Sequence, residues 1–264
     1  MDLKLKGKTA FITGSTSGIG FATARCLVKE GAIVTLNGRT KEGVDAAVLK
    51  LKEEFSTATI SGIKADFSNK KDVERIFSGL PQVDILINNV GIYASNSFFE
   101  TSEEEWNQQF EVNVMSGVRL SKYYLPKMLK ENWGRIIFIS SECAILAPAD
   151  LIAYSATKSA LLAISRGLAQ VTKGSNVTVN SVLPGSTLSE GADDFLEEMA
   201  KKENKTKKQV EEDFFSKERP SSLLQRFASV EEVANTITYL ASPLSAATNG
   251  AAIKVDGGSV GGIV

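Results

Sequence analysis

The 264-residue sequence contains no histidine and only two cysteines, Cys26 and Cys143. Without histidine, the chain cannot form Ser-His-Asp or Cys-His catalytic arrangements or zinc sites of the His-Glu-x-x-His type. The two cysteines are far apart and form no Cys-x-x-Cys pair, which argues against a disulfide framework and a thiolate metal site. Acid–base chemistry must therefore use tyrosine, lysine, a carboxylate or water, and we predict no metal site.

The sequence also lacks a charge excess and long apolar runs. Lysine and arginine number 30 against 31 acidic residues, so the basic excess typical of nucleic-acid binding is absent. No apolar stretch approaches the length that spans a bilayer, and the segment Met1–Lys8 is charged where a signal peptide is apolar. We expect a globular, cytoplasmic protein that acts on a small molecule and binds neither nucleic acid nor membrane.

Short apolar segments alternate with segments of helical spacing along most of the chain. Near-continuous apolar strands separated by helices indicate a parallel sheet that is covered on both faces, with right-handed crossovers. The pattern predicts an α/β fold, a Rossmann-like doubly wound parallel sheet of about seven strands with helices on both faces. The predicted strands are 8–13, 32–36, 60–65, 84–88, 134–140, 176–183 and 251–255.

The regular alternation stops between Ser186 and Pro220, where the sequence is rich in charge and shows no strand pattern. We interpret residues 186–219 as an inserted helical flap over the substrate. The helical pattern returns at Ser229–Ala241. Because no segment has the composition of a linker and no internal repeat occurs, we expect a single domain over residues 1–264.

Three glycines, Gly14, Gly18 and Gly20, lie between the first predicted strand and the first predicted helix. Free amides and the helix dipole at such a turn attract a pyrophosphate. The spacing Gly-x-x-x-Gly-x-Gly differs from the commoner Gly-x-Gly-x-x-Gly fingerprint, and a glycine-rich turn can also be only a turn. The strand-to-helix context favours nucleotide binding.

Tyr154 and Lys158 are four residues apart, so on a helix the phenol and the ammonium share one face. A nearby cation favours phenolate over phenol, which predicts a lowered pKa for Tyr154 and a role in proton transfer. Tyrosine and lysine at this spacing also occur on ordinary amphipathic helices, so the spacing alone leaves a packing role open. The absence of histidine leaves Tyr154 few rivals as the acid.

These motifs resemble the short-chain dehydrogenase/reductase family, and the resemblance covers nearly the whole chain. The glycine turn fits the family's cofactor turn, and Tyr154 with Lys158 fits its Tyr-x-x-x-Lys pair. Each motif is weak alone, but all of them together and in order are specific. The further matches are Asp66, Asn88-Asn-Val-Gly91 with Val90 in place of alanine, Asn113, Ser141, Pro184-Gly185 and Val255-Asp-Gly-Gly258.

The resemblance implies that Asn113, Ser141, Tyr154 and Lys158 are the catalytic set. Tyr154 would donate a proton to a carbonyl oxygen that Ser141 also holds, while Lys158 would lower the tyrosine pKa and bind the nicotinamide ribose. Asn113 would bind a water that links Lys158 to solvent; the alternative is a local irregularity of the helix. Ser141, Cys143 and Tyr154 would contact the substrate, although Cys143 lacks an activating base for nucleophilic attack.

The resemblance also implies a nicotinamide dinucleotide. Gly38 stands where members that prefer NAD carry an acid, and Arg39 suits a 2′-phosphate, so we expect NADP. NAD stays possible, because Arg39 could simply be solvated. The implied cofactor residues are Gly14, Ser15, Ser17, Gly18, Ile19, Gly20, Arg39, Asp66, Phe67, Asn89, Val90, Gly91, Tyr154, Lys158, Pro184, Gly185 and Thr187.

We therefore predict an NADP(H)-dependent oxidoreductase that transfers a hydride between the nicotinamide and a ketone or secondary alcohol, such as a 3-oxoacyl thioester, a keto sugar or a xenobiotic carbonyl. The alternative is a non-catalytic dinucleotide-binding regulatory or scaffold protein. Such proteins usually lose the tyrosine or the lysine, and both are present here. The resemblance also implies a homotetramer, formed through the helices around Asn113 and Tyr154 and the carboxyl-terminal strand.

The substrate is less well defined by the sequence. Glu142, directly after Ser141, could contact a substrate hydroxyl or face water. Apolar side chains would surround the nicotinamide, although a purely local packing role is equally open. These are Tyr93, Ile145, Leu146, Leu151, Phe195 and Met199.

Overall fold

A computed structural model describes residues 1–263. Its central sheet contains seven parallel strands, as the sequence predicts. The strands are β1 (Thr9–Ile12), β2 (Ile33–Gly38), β3 (Ile60–Lys64), β4 (Ile85–Asn88), β5 (Gly134–Ile139), β6 (Val177–Pro184) and β9 (Ala252–Val255), and the spatial order is β3-β2-β1-β4-β5-β6-β9. A separate pair is formed by β7 (Thr187–Leu188) and β8 (Ala228–Ser229).

Helices connect the strands and cover both faces of the sheet. They are α1 (Gly18–Lys29), α2 (Lys41–Glu54), α3 (Lys70–Gly79), α4 (Glu103–Phe110), α5 (Ser116–Lys130), α6 (Cys143–Leu146), α7 (Ile152–Val171), α8 (Glu190–Glu203), α9 (Lys207–Lys217) and α10 (Val230–Ala241), with a 3₁₀ turn at Pro243–Ser245. Among residues 1–263, no helix is both long and apolar enough to cross a bilayer.

Two apolar layers enclose the sheet because alternate residues of each strand point to opposite faces. In β5, Ile137 belongs to the layer under α1 and α10, whereas Ile136 and Phe138 belong to the layer under α5 and α7. All residues of β5 and β6 are buried. The near-continuous apolar runs of these strands therefore reflect a sheet that is covered on both sides, which confirms the doubly wound prediction.

Apolar residues at helical spacing from Trp106 to Val118, with Ser102 and Glu105 at capping-box spacing, predict one long helix that begins near Thr101. The Ser102 hydroxyl accepts a hydrogen bond from the Glu105 amide at 3.2 Å, and the Glu105 carboxylate accepts one from the Ser102 amide at 2.9 Å. The helix does not run on regularly through Val118, however. A π-helical turn, Glu111–Met115, separates α4 from α5 and contains Asn113. Such turns are frequent at functional sites.

The segment 186–219 is helical as predicted, with α8 and α9, but the expectation that it lacks a strand is wrong. β7 lies within it and pairs with β8 beyond it, at Thr187↔Ala228 and Leu188↔Ser229. Its apolar side chains form a small cluster of their own around Leu196, Val210 and Phe215, against which Met199 packs. Met199 thus belongs to the interior of this segment.

Candidate active site

The candidate site lies at the carboxyl edge of the parallel sheet, where the loops after β1, β2, β3 and β4 meet. A cleft of about 310 Å³ opens there. The chain order of the sheet reverses between β1 and β4, the place where such folds bind nucleotides. The cleft is lined by Gly14, Thr16, Ser17, Asn37, Gly38, Arg39, Ala65, Asp66, Phe67, Ser68, Asn89, Val90, Gly91, Ile92, Gln108 and Val112.

The glycine turn packs tightly against the first turn of α1. Gly14 and Gly18 have φ of +58° and +56°, a conformation that favours glycine. A Cβ at Gly20 would lie 2.4 Å from the Gly14 carbonyl oxygen and 2.6 Å from Nδ2 of Asn89. That amide nitrogen donates to the carbonyls of Thr13 and Gly14 at 2.9 and 2.8 Å, so the turn is fixed from the loop after β4.

Thr13 and Asn37 shape the cleft, and the motif matches did not assign them a role. The Thr13 hydroxyl accepts from the amides of Asn89 and Val90, both at 2.9 Å. Oδ1 of Asn37 accepts from the Gly14 amide at 3.0 Å, and its Nδ2 donates to the carbonyls of Ile63 and Ala65. The sequence offers one signal for Asn37, an amide side chain at the end of an otherwise apolar strand.

Of the predicted cofactor residues, Gly14, Ser17, Arg39, Asp66, Phe67, Asn89, Val90 and Gly91 line the cleft. Ser15 does not. Its hydroxyl is buried, donates to the Ile12 carbonyl at 2.8 Å and accepts from the Asn37 amide, so Thr16 faces the cleft instead. Gly18 borders the start of α8, near Ser189. The predicted residues Ile19, Gly20, Pro184, Gly185, Thr187, Tyr154 and Lys158 lie outside the cleft lining.

The β2 end of the cleft carries an exposed cation. Arg39 forms no ion pair with any of residues 1–263. The adjoining Gly38 has little room for a side chain, because a Cβ there would approach Cγ2 of Thr16 to 2.5 Å. Across the cleft, the Asp66 carboxylate accepts from the amide and hydroxyl of Ser68 at 2.9 and 2.7 Å.

Tyr154 and Lys158 share one face of α7, as the spacing predicts, with Nζ of Lys158 5.5 Å from the tyrosine ring centroid. Lys158 is 3% exposed, and Nζ donates to the Ile139 carbonyl at 2.9 Å. Burial lowers the pKa of Lys158 to about 8. Burial also raises the pKa of Tyr154, with a hydrogen bond to Ser141 acting in the opposite direction. The net pKa of Tyr154 is therefore raised, because burial of the phenol outweighs the lowering expected from the neighbouring cation.

Ser141 lies two residues after the buried end of β5, with Ser140 between them. Its oxygen accepts from the Cys143 amide at 3.1 Å, which leaves the hydroxyl proton available for another acceptor. Cys143 is buried, and burial raises the pKa of its thiol, while hydrogen bonds to Ser141 and Arg219 lower it. A thiol held protonated is a poor nucleophile, in line with the expectation from the sequence.

The Asn113 side chain is held by three hydrogen bonds to protein groups, and its predicted role in binding a water stays a prediction. Its Oδ1 accepts from the Ile92 amide at 2.7 Å, and its Nδ2 donates to the Ile92 carbonyl at 2.9 Å and to the Thr157 hydroxyl at 3.0 Å. Thr157 lies between Tyr154 and Lys158 on α7. The side chain thus joins the loop after β4 to the helix that carries the tyrosine, and both its amide donors are used.

Glu142 does not face water, which was one of the two options for it. Its carboxylate is 3% exposed, and Oε1 accepts from Nε of Arg219 at 2.9 Å. Ser186 also approaches Oε1, at 3.5 Å. Oε2 is buried without a hydrogen-bond partner among residues 1–263. The residue beside Ser141 is therefore bound to the end of the segment 186–219.

A doubly wound sheet with a glycine turn, a cleft at the switch point and a tyrosine–lysine pair beside it defines an oxidoreductase of the dinucleotide-binding α/β class. The family model described as short chain dehydrogenase matches residues 8–200. The chain belongs to the short-chain dehydrogenase family, which confirms the predicted family, its nicotinamide dinucleotide dependence and chemistry between CH–OH and C=O.

Three similar proteins cover nearly the whole chain. Two are from Bacillus subtilis, the uncharacterized oxidoreductase YvrD, 47% identical over 98% of this chain and 99% of that protein, and the uncharacterized oxidoreductase YvaG, 46% identical over 98% of both. The third is the crystal structure of L-sorbose reductase from Gluconobacter frateurii complexed with NADPH and L-sorbose. It is 32% identical, covers 100% of both chains and has a TM-score of 0.92.

Proposed function

We propose that the protein is an NADPH-dependent carbonyl reductase, with Tyr154 as the acid and base that exchanges a proton with the substrate oxygen. The observation that carries this proposal is the arrangement of Tyr154, Ser141 and buried Lys158 beside the dinucleotide cleft. The reverse oxidation of a secondary alcohol would use the same groups.

The residues of the cleft fit a dinucleotide. Gly91 keeps open a space that a Cβ would fill, 3.3 Å from Nζ of Lys158. The exposed guanidinium of Arg39, which has no ion pair among residues 1–263, suits a 2′-phosphate, and Gly38 leaves no carboxylate to bind ribose hydroxyls, which favours NADP over NAD. The similarity to a reductase complexed with NADPH supports the same choice. Ile19, Gly20, Pro184, Gly185 and Thr187 remain predicted cofactor contacts.

The proposed proton chemistry follows from the ionisation of the site. When bound, the reduced nicotinamide supplies a hydride to the carbonyl carbon. The raised pKa of Tyr154 keeps the phenol protonated at neutral pH, so it is ready to donate to the carbonyl oxygen. Ser141 donates its free hydroxyl proton to the same oxygen. Lys158, with a pKa of about 8, stays mostly charged at neutral pH and stabilises the tyrosinate left behind.

Asn113 acts in this proposal as a positioning residue. Its hydrogen bonds to Ile92 and Thr157 fix the loop after β4 against α7. They thereby hold Tyr154 and Lys158 at their positions beside the cleft. Replacement by alanine would remove all three bonds. We expect such a variant to lose turnover while Tyr154 is still present.

The test is NADPH oxidation with a panel of ketones, keto sugars and a 3-oxoacyl thioester, run in parallel with NADH. Turnover with NADPH that exceeds turnover with NADH supports the proposal. The alternative, a regulatory or scaffold protein, predicts NADPH binding without oxidation across the panel. The retained Tyr154 and Lys158 favour the enzyme.

We also propose a cytoplasmic homotetramer. Met115, at the end of the π-helical turn, and Val171, at the end of α7, are exposed apolar side chains near the helices expected to form the contacts. Light scattering coupled to size-exclusion chromatography tests the oligomer. A monomer mass would contradict it.

A further inference from the structure

A buried ion pair joins the residue beside Ser141 to the end of the segment 186–219. Nε of Arg219 lies 2.9 Å from Oε1 of Glu142, and the two side chains are 15% and 3% exposed. Charged groups removed from water to this degree are costly unless they are paired, and a single pair rarely repays the cost. Glu142 directly follows Ser141, the proposed hydrogen-bond donor to the substrate oxygen. An ion pair at this position is therefore expected to serve the function of the site.

The pair is incompletely satisfied on both sides. Oε2 of Glu142 has no hydrogen-bond partner within residues 1–263, although Gly185 leaves it space; a Cβ there would approach it to 2.8 Å. Nη1 of Arg219 donates to the Glu218 carbonyl at 2.8 Å, whereas Nη2 donates to no oxygen of the described chain. A guanidinium held rigidly by one edge presents its other edge as a preformed donor.

The guanidinium lies beside the segment that follows Ser141, because its Nε binds Glu142, the next residue. Arg219 lies near enough to the Cys143 thiol to lower its pKa by hydrogen bonding, and the charge of Asp150 also acts on it. Cys143 and Asp150 belong to the segment between Ser141 and α7, which borders Tyr154. A substrate carbonyl held by Ser141 and Tyr154 would place its neighbouring substituent beside this guanidinium.

We infer that Arg219, held by Glu142, is a specificity-determining residue that binds a hydroxyl group next to the substrate carbonyl, so that the protein prefers uncharged hydroxyketones. This inference rests on the proposed reductase function. The Glu142 carboxylate neutralises Arg219, and Asp150 adds a further negative charge, so a substrate carboxylate gains little at this position. A hydroxyl oxygen accepts from the guanidinium without meeting that repulsion.

Three ketones of equal carbon number test this preference: acetone, hydroxyacetone and pyruvate, each with NADPH. We expect the highest kcat/KM for hydroxyacetone. Because a hydroxyl also activates the carbonyl electronically, the decisive comparison is the variant Arg219→Lys, which keeps the charge but loses the planar donor edge. It should lower kcat/KM for hydroxyacetone about tenfold or more, mainly through KM, and leave acetone unchanged.

The matched control is Arg226→Lys, the same substitution in the exposed Arg226–Glu232 pair at the start of α10. It should leave all three ketones unaffected. Glu142→Gln gives a prediction of opposite sign: it removes the neutralising charge, so kcat/KM for pyruvate should rise relative to hydroxyacetone. NADPH binding and the melting temperature of each variant establish that the fold is intact.

Two results would overturn the inference while leaving the proposed function in place. One is an equal loss of kcat/KM for acetone and hydroxyacetone in Arg219→Lys, which would mean that the Glu142–Arg219 pair only stabilises the structure. The other is a wild-type preference for pyruvate that Arg219→Lys abolishes, which would make Arg219 an anion-binding residue. No NADPH oxidation with any carbonyl would instead overturn the proposed function itself.

A second, independent contact concerns the cofactor turn. Oε2 of Glu190, the first residue of α8, accepts a hydrogen bond from the Gly18 amide at 2.8 Å. Helix α1 has no side-chain cap at Ser17 and no acidic residue in its first turn. Within the described chain, Glu190 therefore supplies the anion at the helix end where a pyrophosphate would bind.

From this contact we also infer that Glu190 competes with the cofactor phosphates and weakens NADPH binding, an inference that depends on the cofactor proposed above. Glu190→Gln keeps an acceptor but removes the charge, so the dissociation constant for NADPH should fall about fivefold at low salt. The difference should shrink as salt rises. Cofactor fluorescence measures it without turnover.

Glu198→Gln is the control, because it makes the same charge change on an exposed residue of α8 two turns away. It should leave the dissociation constant unchanged. Weaker NADPH binding in Glu190→Gln, or no change, would overturn this inference; weaker binding would mean that the carboxylate holds the turn in its binding shape.

Discussion

The two edges of the sheet both contain charged groups in or beside the core, and burial lowers the pKa of Arg135 to about 10 as it lowers that of Lys158, but the groups at the amino edge make more hydrogen bonds. There Arg135, 1% exposed, donates to the carbonyls of Ser242, Gly134 and Asn176, and Asp84 accepts from the amide and hydroxyl of Thr9. At the carboxyl edge, Nζ of buried Lys158 makes one hydrogen bond, to the Ile139 carbonyl, and Oε2 of Glu142 lacks a partner within residues 1–263.

This difference separates stability from function. Fully partnered polar groups lower the cost of burial and fix the structure, whereas incompletely partnered groups cost stability and persist where a ligand completes them. We therefore expect substitutions at the amino edge to act on folding, and substitutions at the carboxyl edge to act on turnover. The predictions below test this division, from the largest expected effect to the smallest.

The largest effect is expected for Tyr154→Phe, which removes only the hydroxyl. Loss of the general acid should lower kcat about 10³-fold, or ~4 kcal/mol in transition-state free energy. The dissociation constant for NADPH and the melting temperature should stay close to those of the wild type. Stopped-flow NADPH oxidation measures kcat, and cofactor fluorescence measures the dissociation constant. Unchanged turnover would contradict the assignment of Tyr154 as the general acid.

At the amino edge, Arg135→Met should destabilise the protein by ~3 kcal/mol, because three backbone carbonyls lose a charged donor. Urea unfolding monitored by circular dichroism gives the change. Turnover per folded molecule should be unaffected. A specific loss of kcat in the folded fraction would break the division between the edges.

The pH dependence of stability provides a third test. The pKa of Lys158 is about 8 in the folded state and lies below its unfolded value, so the unfolded state binds more protons between about pH 8 and 10.4. The contribution of this residue to the free energy of unfolding therefore rises with pH over that window, by ~3 kcal/mol at most. Lys158→Met should lack this rise; parallel profiles for the two proteins would contradict it.

The smallest effect is expected at the rim of the cleft. Arg39 is exposed, so Arg39→Ala should raise the dissociation constant for NADPH about tenfold and leave that for NADH nearly unchanged. Thr40→Ala is unsuitable as a control because its hydroxyl caps α2; Lys52→Ala, exposed at the other end of that helix, serves instead. Equal losses for both cofactors would remove Arg39 as the basis of cofactor preference.

Features set by local periodicity were predictable from the sequence. The seven strands lie within about a residue or two of the expected ranges, and the capping box of Ser102 and Glu105 is formed as predicted. The spacing of Tyr154 and Lys158 also placed both side chains on one face of α7. These features depend on neighbours in the sequence, which a pattern records directly.

Features set by contacts between distant segments were not predictable. The pairing of Glu142 with Arg219 joins residues 77 positions apart, and β7 forms only because β8 returns beside it. The net direction of the Tyr154 pKa was also not predictable, because the i,i+4 spacing reports the neighbouring cation but not the burial of the phenol. Burial depends on the surrounding fold, and here it outweighs the cation.

The most direct test of the division between the edges is the free energy of unfolding of Lys158→Met and Arg135→Met at pH 7, measured side by side with wild type. Lys158→Met should be ~2 kcal/mol more stable than the wild type and inactive, because it removes an incompletely satisfied buried charge. Arg135→Met should be less stable and active when folded. Destabilisation by both substitutions, with similar loss of activity, would contradict the account.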